Sequence, residues 1–465
     1  MTTTSPRGVL IRVLAPVAVI GLVASCAGGG TGGGGGGSAP EAAGLSAVTP
    51  EQLQGTTISV SRPFGECATE TAGVTDVTQA TDECETFEIL TNAFNAQNGK
   101  GITVERLGGG ESDTYYDTLN AAYAGGSPPD VALVHASRIT DYARRNLLLP
   151  LDQELAATGT EIEDAVAVAR EGATFEDRLY ALPFDVHGGL VHLNVDLFRQ
   201  AGLVDPQGAP VLPTSPEEFL AHAQQMKDRT GVNYFGTGRV NEGFGVHMWR
   251  SLVQQQGADV LNADRTAATV DTPEARTALE FMGRVFDGGF ADPAQTYDAA
   301  EAGFLSGQTA MLLNGTWVVD QYSEDAQFAY RVADFPTLYA EPAMWADTHT
   351  WAIPRQRAAD PVRYRAALEY ANYLYANSQD WAVNTGHLAA RTSVLESPEY
   401  QQAPQRVNYV ATGTDVARQV PKIDDWPAVQ DALLANIDSI WFQGRSVDEA
   451  LAEADRQINS ILAQG

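Results

Sequence analysis

The sequence predicts an α/β protein built as two lobes, and three observations predict it. Apolar runs of strand length alternate with stretches whose apolar residues recur at three- and four-residue spacing, the pattern of strands covered by helices. About 415 of the 465 residues follow a glycine-rich segment near the start, more than one hydrophobic core ordinarily organises. The stretch YALPFDVHGGLVHLNVDLF (residues 180–198) joins two apolar runs through Pro183, which has no amide donor and so suits a sheet edge or a crossing between lobes. Asp185 and His187, just beyond it, then fall at a lobe junction, where ligand clefts form. An ordinary strand carrying a hydrogen-bonded histidine is the simpler reading of the same stretch.

At the start of the chain, Arg7 and Arg12 precede an apolar run over residues 13–23. It is too short to cross a bilayer core of about 30 Å as a helix and fits the core of a signal peptide. It ends in Val23-Ala24-Ser25-Cys26, which resembles the lipobox of bacterial lipoproteins, so residues 1–26 read as a signal whose Cys26 thiol takes a diacylglycerol; a plain secretory signal is the alternative. Residues 27–50 begin as nearly pure glycine, cannot bury apolar area and read as a flexible tether. The net charge of -30 argues against nucleic acid and against adhesion to anionic lipid, both of which need clusters of Lys and Arg that this sequence lacks. Membrane contact is then expected through the lipid anchor only. With Cys26 lipidated, Cys67 and Cys84 remain as a pair in an oxidising compartment, and a disulfide between them would hold the loop after the first strand.

Further along, residues 57–61 read as that first strand, at the end where open α/β sheets bind ligands. Phe87, Leu90, Ala93 and Phe94 mark a helix with Asp82 as N-cap, Glu85 three residues later and Gly99 as its stop. A strand over 102–104, a helix near 115–124 and a strand over 131–134 continue the alternation and predict parallel pairing. Ser215 with Pro216, and Thr272 with Pro273, open two more helices. Ser446 and Glu449 open the last one, whose stripe Val447, Leu451, Ala454, Ile458 and Ile461 reads as core in preference to a coiled-coil surface.

Five stretches, in this order and spacing, resemble the solute-binding proteins of carbohydrate ABC importers, the group that includes the maltodextrin-binding proteins. They are PPDVALVHASRITDYARRNLLLPLD (128–152), YALPFDVHGGLVHLNVDLFRQAGL (180–203), PTSPEEFLAHAQQMK (213–227), FLSGQTAMLLNGTW (304–317) and GHLAARTSVLESPEY (386–400). Ala389 stands where the family usually has proline in the last of these. The resemblance implies the type II periplasmic-binding-protein fold, two α/β domains joined by three hinge crossings that close on a sugar. It places the crossings near 183–187, 345–351 and 404–412, giving a first lobe of 51–184 plus 347–405 and a second of 185–346 plus 406–465.

The resemblance also fills the cleft. His135, Ser137 and Arg138 match a family loop that hydrogen-bonds sugar hydroxyls, while Val134 stands where relatives carry an aromatic. The loop after the first strand offers Arg62, Phe64 and Glu66; the first crossing offers Asp185 and His187; the second offers Asp347 and His349. Trp317 matches the family's platform for a pyranose ring, with Asn314 close to it, and Trp249 is a further aromatic candidate. For Phe64 and Trp249, core packing is the simpler role. The expected function is capture of a sugar or polyol without catalysis, and delivery to the permease subunits of an importer by a monomer that needs no cofactor and no metal. A secreted glycoside hydrolase is one alternative, although no GxSxG, HExxH, Walker A or CxxC pattern occurs. A metal-binding lipoprotein using His135, His187 and His349 is another, and a purely structural envelope protein a third.

Overall fold

The computed structural model describes residues 44–109, 112–239 and 243–464; the expected signal peptide, Cys26 and most of the tether lie outside the described residues. In chain order the strands are β1 (Thr57–Arg62), β2 (Thr103–Gly109), β3 (Val131–His135), β4 (Thr174–Phe175), β5 (Arg178–Leu179), β6 (Ala181–Pro183), β7 (Asp185–Asn194), β8 (Asn233–Thr237), β9 (Thr309–Gly315), β10 (Tyr330–Asp334), β11 (Met344–Asp347), β12 (His349–Ala352), β13 (Leu388–Ala389) and β14 (Ala417–Arg418). They form two sheets, of order β2-β1-β3-β12-β6 and β14-β11-β7-β9-β8, with β10 and β13 also paired to β7 and β4 paired only to β5.

The first sheet follows from the predicted alternation. β1 pairs parallel with β2 and β3, whose interior residues Val131, Ala132, Leu133 and Val134 are all buried, as expected of strands covered on both faces. β12 runs antiparallel to both of its neighbours, β3 and β6, so β6 points the same way as β1, β2 and β3. Pro183 ends β6, the edge strand, where a missing amide donor breaks no inner ladder. The helix Glu83–Gln97 starts at Asp82, whose carboxylate accepts the Glu85 N–H at 2.8 Å, and buries Phe87, Leu90 and Phe94 against this sheet together with Trp351, Tyr370 and Trp381. Cys67 and Cys84 form a disulfide, 17 residues apart, that ties the loop after β1 to the first turn of that helix.

The second sheet is organised around β7, all ten of whose residues are buried. Its core joins Phe198, Met311 and Leu313 to the helices Phe244–Gln254, Pro273–Asp287, Trp426–Phe442 and Val447–Leu462. Ser215, Thr272 and Ser446 each cap their helix by accepting the amide three residues on, as predicted. Ala450, Leu451, Ala454 and Ile458 bury the last helix in this core.

The two sheets meet at a narrow place. Phe184 alone separates β6 from β7, and Thr348 alone separates β11 from β12. These connections run side by side, with Asp347 opposite His187 in the second sheet and Thr350 opposite Pro183 in the first. After the helices Pro361–Ala376 and Ser378–Thr385, which carry Tyr370 and Trp381 into the first core, β13 pairs with the start of β7. Residues 404–412, where the resemblance puts the third crossing, hold the 3-10 turn Arg406–Asn408.

Candidate ligand-binding site

A cavity of about 580 Å³ opens where the sheets meet. Its first-sheet side is made by Phe64, Glu83 and His135; its second-sheet side by Phe244, His247, Tyr297, Trp317 and Trp345; His187 and His349 lie at the connections. A second cavity of about 530 Å³ shares Phe64, Glu83, Tyr297 and Trp317 with it and continues past Asp82, Glu301, Asp320, Glu324 and Asp325. Among the described residues that line the two, none is Lys or Arg.

The aromatic faces are held by their neighbours. Trp317 follows β9, and its ring folds over Gly315 so closely that a Cβ there would sit 2.2 Å from it. Its Nε1 donates to Tyr297 Oη at 2.9 Å, and its ring lies 5.9 Å from Phe244. Trp345 stacks on His247 at 4.1 Å with the planes 12° apart. Phe64 packs on Trp381 at 4.8 Å and edge-on to His349 at 5.4 Å. Such plates present apolar faces to a ring of C–H groups, while the imidazoles and carboxylates offer hydrogen bonds at its rim.

Below these plates lies a buried polar cluster. The Asp185 carboxylate accepts from His187 Nδ1 (3.0 Å), His349 Nδ1 (2.7 Å), the His349 amide (3.1 Å) and Trp381 Nε1 (2.7 Å). Burial alone would raise its pKa, but His349, His387 and these hydrogen bonds outweigh it and hold Asp185 well below the usual carboxylate range. For His187 the balance also reverses: burial opposes its charge, yet the hydrogen bond it donates to Asp185 and the Asp185 charge raise it. Burial wins at His349 and at His135, which the neighbouring imidazoles depress further, and it holds His247 at about 3 with help from Arg250. Glu83 is pushed up to about 8, by loss of water and then by the Asp185 charge, so it is mostly protonated at neutral pH. Tyr116 Oη accepts the His135 amide at 2.9 Å and shares a 2.6 Å hydrogen bond with His135 Nδ1. With the phenol donating in that bond, the imidazole proton sits on Nε2.

Of the residues named from sequence, Phe64, His135, His187, Trp317 and His349 are brought together at the cavity. The others lie elsewhere. Arg62 is buried beneath it, bonded to Glu88 at 2.6 Å and to the Gly65 carbonyl, and so shapes the turn that carries Phe64. Glu66 is exposed in that same loop, outside the cavity lining. Ser137 and Arg138 belong to no loop: the helix Ala136–Arg144 begins directly after β3, because Asp347 accepts the Ser137 N–H at 3.1 Å and caps the helix from across the sheet. Arg138 stacks over Tyr116 at 4.5 Å. Asp185 lies a layer below the cavity wall. Asn314 bonds Tyr322 Oη at 3.0 Å and Glu301 at 3.2 Å within the support of the Trp317 plate. Trp249 is fully buried in the second core and donates to the Ala275 carbonyl at 3.2 Å, so of its two readings the core one matches its position. Glu83, Phe244, His247, Tyr297, Trp345 and His387 were not singled out in the sequence. Trp345 lies inside the expected second crossing and His387 inside the last of the five stretches, and these were their only signals. The other four carried none.

Comparison with known proteins places this geometry. Residues 90–408 match the profile of a family described as bacterial extracellular solute-binding protein. A lactose-binding protein of Rhizobium radiobacter is 22% identical over 261 residues, which take in 54% of this chain and 58% of that protein. The GacH receptor of Streptomyces glaucescens, solved unliganded and with acarbose, superposes with a TM-score of 0.73 at 20% identity, over 88% of this chain and 99% of that one. UgpB of Mycobacterium tuberculosis, solved with glycerophosphocholine, gives 0.73 at 20% identity over 88% and 98%. At such identities the likeness establishes the fold: two α/β lobes of the type II periplasmic-binding-protein class.

Proposed function

The chain belongs to the family of bacterial extracellular solute-binding proteins, and from that premise we propose that it captures a sugar or sugar-like polyol in the cleft between the sheets and hands it to the permease of an ABC importer. The observation that carries the sugar reading is the cavity wall: Trp317, Trp345, Phe64 and Phe244 offer ring faces, and largely neutral imidazoles sit between them. A pyranose needs this combination, apolar plates beneath its C–H face and hydrogen-bonding groups around its edge. The many carboxylates and the lack of Lys and Arg among the described lining residues favour a neutral ligand, or one bearing a positive amino group, over an anion. Phe64, His135, His187, Trp317 and His349 contact the ligand, and Arg62, Asp185 and Asn314 hold the wall in place.

On this reading the protein binds without catalysis. The lobes close by rotation at the connections through Phe184 and Thr348, where single residues link the sheets. The mature chain works outside the cytoplasm as a monomer, held at the cell membrane by a lipid on Cys26, with residues 27–50 as its leash. Lactose and acarbose, the ligands of two similar proteins, join maltose and maltotriose in the first panel for a thermal-shift screen. A saccharide at 100 times its Kd stabilises the protein by about 2.7 kcal/mol. If no saccharide raises the melting point while glycerophosphocholine does, the cleft reads a phosphodiester and the carbohydrate assignment fails.

A further inference from the structure

We propose that Asp185, His187, His349 and His387 hold one divalent transition-metal ion, with zinc as the representative, at the place where β7 and β12 come together. One ligating atom from each of the four lies within 4.8 Å of all the others, and all four residues are buried. His187 Nδ1 and His349 Nδ1 each face one oxygen of the Asp185 carboxylate. The third imidazole breaks the pattern. His387 is fully buried, its Nε2 lies 3.8 Å from Asp185 Oδ2 and 3.3 Å from Glu83 Oε1, and that nitrogen makes no hydrogen bond. In a cluster held by hydrogen bonds alone each ring would aim an N–H at the Asp185 carboxylate; His187 and His349 do, whereas the His387 nitrogen that faces it makes no hydrogen bond. A buried polar atom carries an uncompensated desolvation cost, and an ion among the four donors would remove it.

The donors select the class of ion. Three imidazoles and one carboxylate suit zinc, cobalt or nickel, whereas calcium and magnesium take oxygen ligands throughout. The supporting layer is that of a ligand set. Thr385 Oγ1 shares a 2.9 Å hydrogen bond with His387 Nδ1, fixing the ring with Nε2 toward the cluster, and Trp381 Nε1 donates to Asp185 Oδ2. Gly386 makes the turn that delivers His387. Its φ is +83°, and a Cβ would meet the Thr316 carbonyl at 2.3 Å, so no other residue fits there. His187 and His349 also line the cavity, which gives the ion a path from solvent. On binding, the Nδ1 proton of a neutral ring moves to Nε2 and frees the lone pair, while a ring that carries both protons releases one to solvent; no redox change is involved. The trio His135, His187 and His349 suggested by sequence meets at the cavity, but the donor cluster is completed by Asp185 and His387 in place of His135.

Metal binding is measured with no sugar present, so its failure and the failure of the carbohydrate reading are separate results. The full chain is stripped with a chelator and titrated with zinc against a chromophoric competitor, then with cobalt while its visible spectrum is followed. One zinc per chain with a Kd of about 1 μM or tighter is expected, together with the intense bands of four-coordinate cobalt. His387→Gln and His349→Gln should each weaken zinc binding by about 100-fold or more. His222→Gln, in the helix Pro216–Thr230 and outside the cluster, should leave it unchanged. The proposal is overturned if the wild type binds zinc no tighter than His387→Gln, or if its cobalt spectrum stays that of the six-coordinate aqueous ion. The cobalt spectrum needs only the wild-type chain, so a misfolded variant leaves that test intact.

Discussion

Replacing Trp317 by alanine separates a ligand plate from a core residue, and Trp249 supplies the contrast. The Trp317 indole is half-buried at the cavity, with its Nε1 on Tyr297 Oη and its ring over Gly315. A sugar held at 1 μM has about 8 kcal/mol of binding free energy in all, of which burying its face on one aromatic ring supplies about 1.5–3 kcal/mol. Trp317→Ala should therefore raise Kd by about 10- to 100-fold. Its effect on stability should be smaller than the about 3–5 kcal/mol typical of deleting a buried tryptophan, because the ring already touches water. Trp249 is fully buried among the helices of the second core, so Trp249→Ala should show the reverse: a large fall in melting point, and an unchanged Kd for the folded fraction. Trp317→Phe keeps an apolar plate but loses the hydrogen bond to Tyr297, and should cost less than tenfold. Isothermal titration with the saccharide identified by thermal shift decides. A folded Trp317→Ala protein that binds with wild-type affinity removes this ring from the site and the reasoning with it.

Four other expectations can be checked independently. Cys26→Ser should abolish incorporation of a fatty-acid probe in cells, and equal labelling of variant and wild type would end the lipoprotein reading. Reducing the Cys67–Cys84 disulfide should cost about 3 kcal/mol in urea unfolding while the fold survives, since most of the first core lies outside that loop; complete unfolding at room temperature would contradict this. Small-angle scattering should give a smaller radius of gyration with saturating ligand, and an identical curve would count against hinge closure. Loss of solvent holds His192 at about 3, against the opposing pull of the Gly315 carbonyl, whereas the unfolded value is 6.5. The unfolded chain takes up the extra proton first, so stability falls as pH drops below 6.5, by about 2 kcal/mol at pH 5. His192→Gln should remove that part of the pH dependence, and an unchanged slope between pH 7 and pH 5 would refute the assignment.

Where the sequence was read correctly, the interaction concerned was local or forced. Asp82, Ser215, Thr272 and Ser446 start helices because a short polar side chain reaches an amide three residues away whatever the rest of the chain does. Pro183 falls at a sheet edge because it has no amide to offer an inner ladder. Cys67 and Cys84 were the only pair left once Cys26 was set aside. The parallel pairing of β1, β2 and β3 followed from the alternation of strand and helix, but the antiparallel β12 between β3 and β6 did not, since it returns from the second sheet through a connection that no local pattern marks.

The sequence by itself determined the α/β class, the helix starts, the disulfide and five of the cavity residues, Phe64, His135, His187, Trp317 and His349. Only the tertiary structure decided which aromatic rings face the cavity and which fill a core. Trp249 and Trp317 look alike in sequence, and burial depends on which helix covers them. It also decided that a helix follows β3 directly, because its cap is Asp347, 210 residues away. Glu83, His247, Trp345 and His387 come from segments up to 304 positions apart, as Glu83 and His387 show, and meet only when two sheets are joined by single residues. Sequence spacing carries side-chain chemistry over one or two turns; convergence across a crossing is a property of the packed chain.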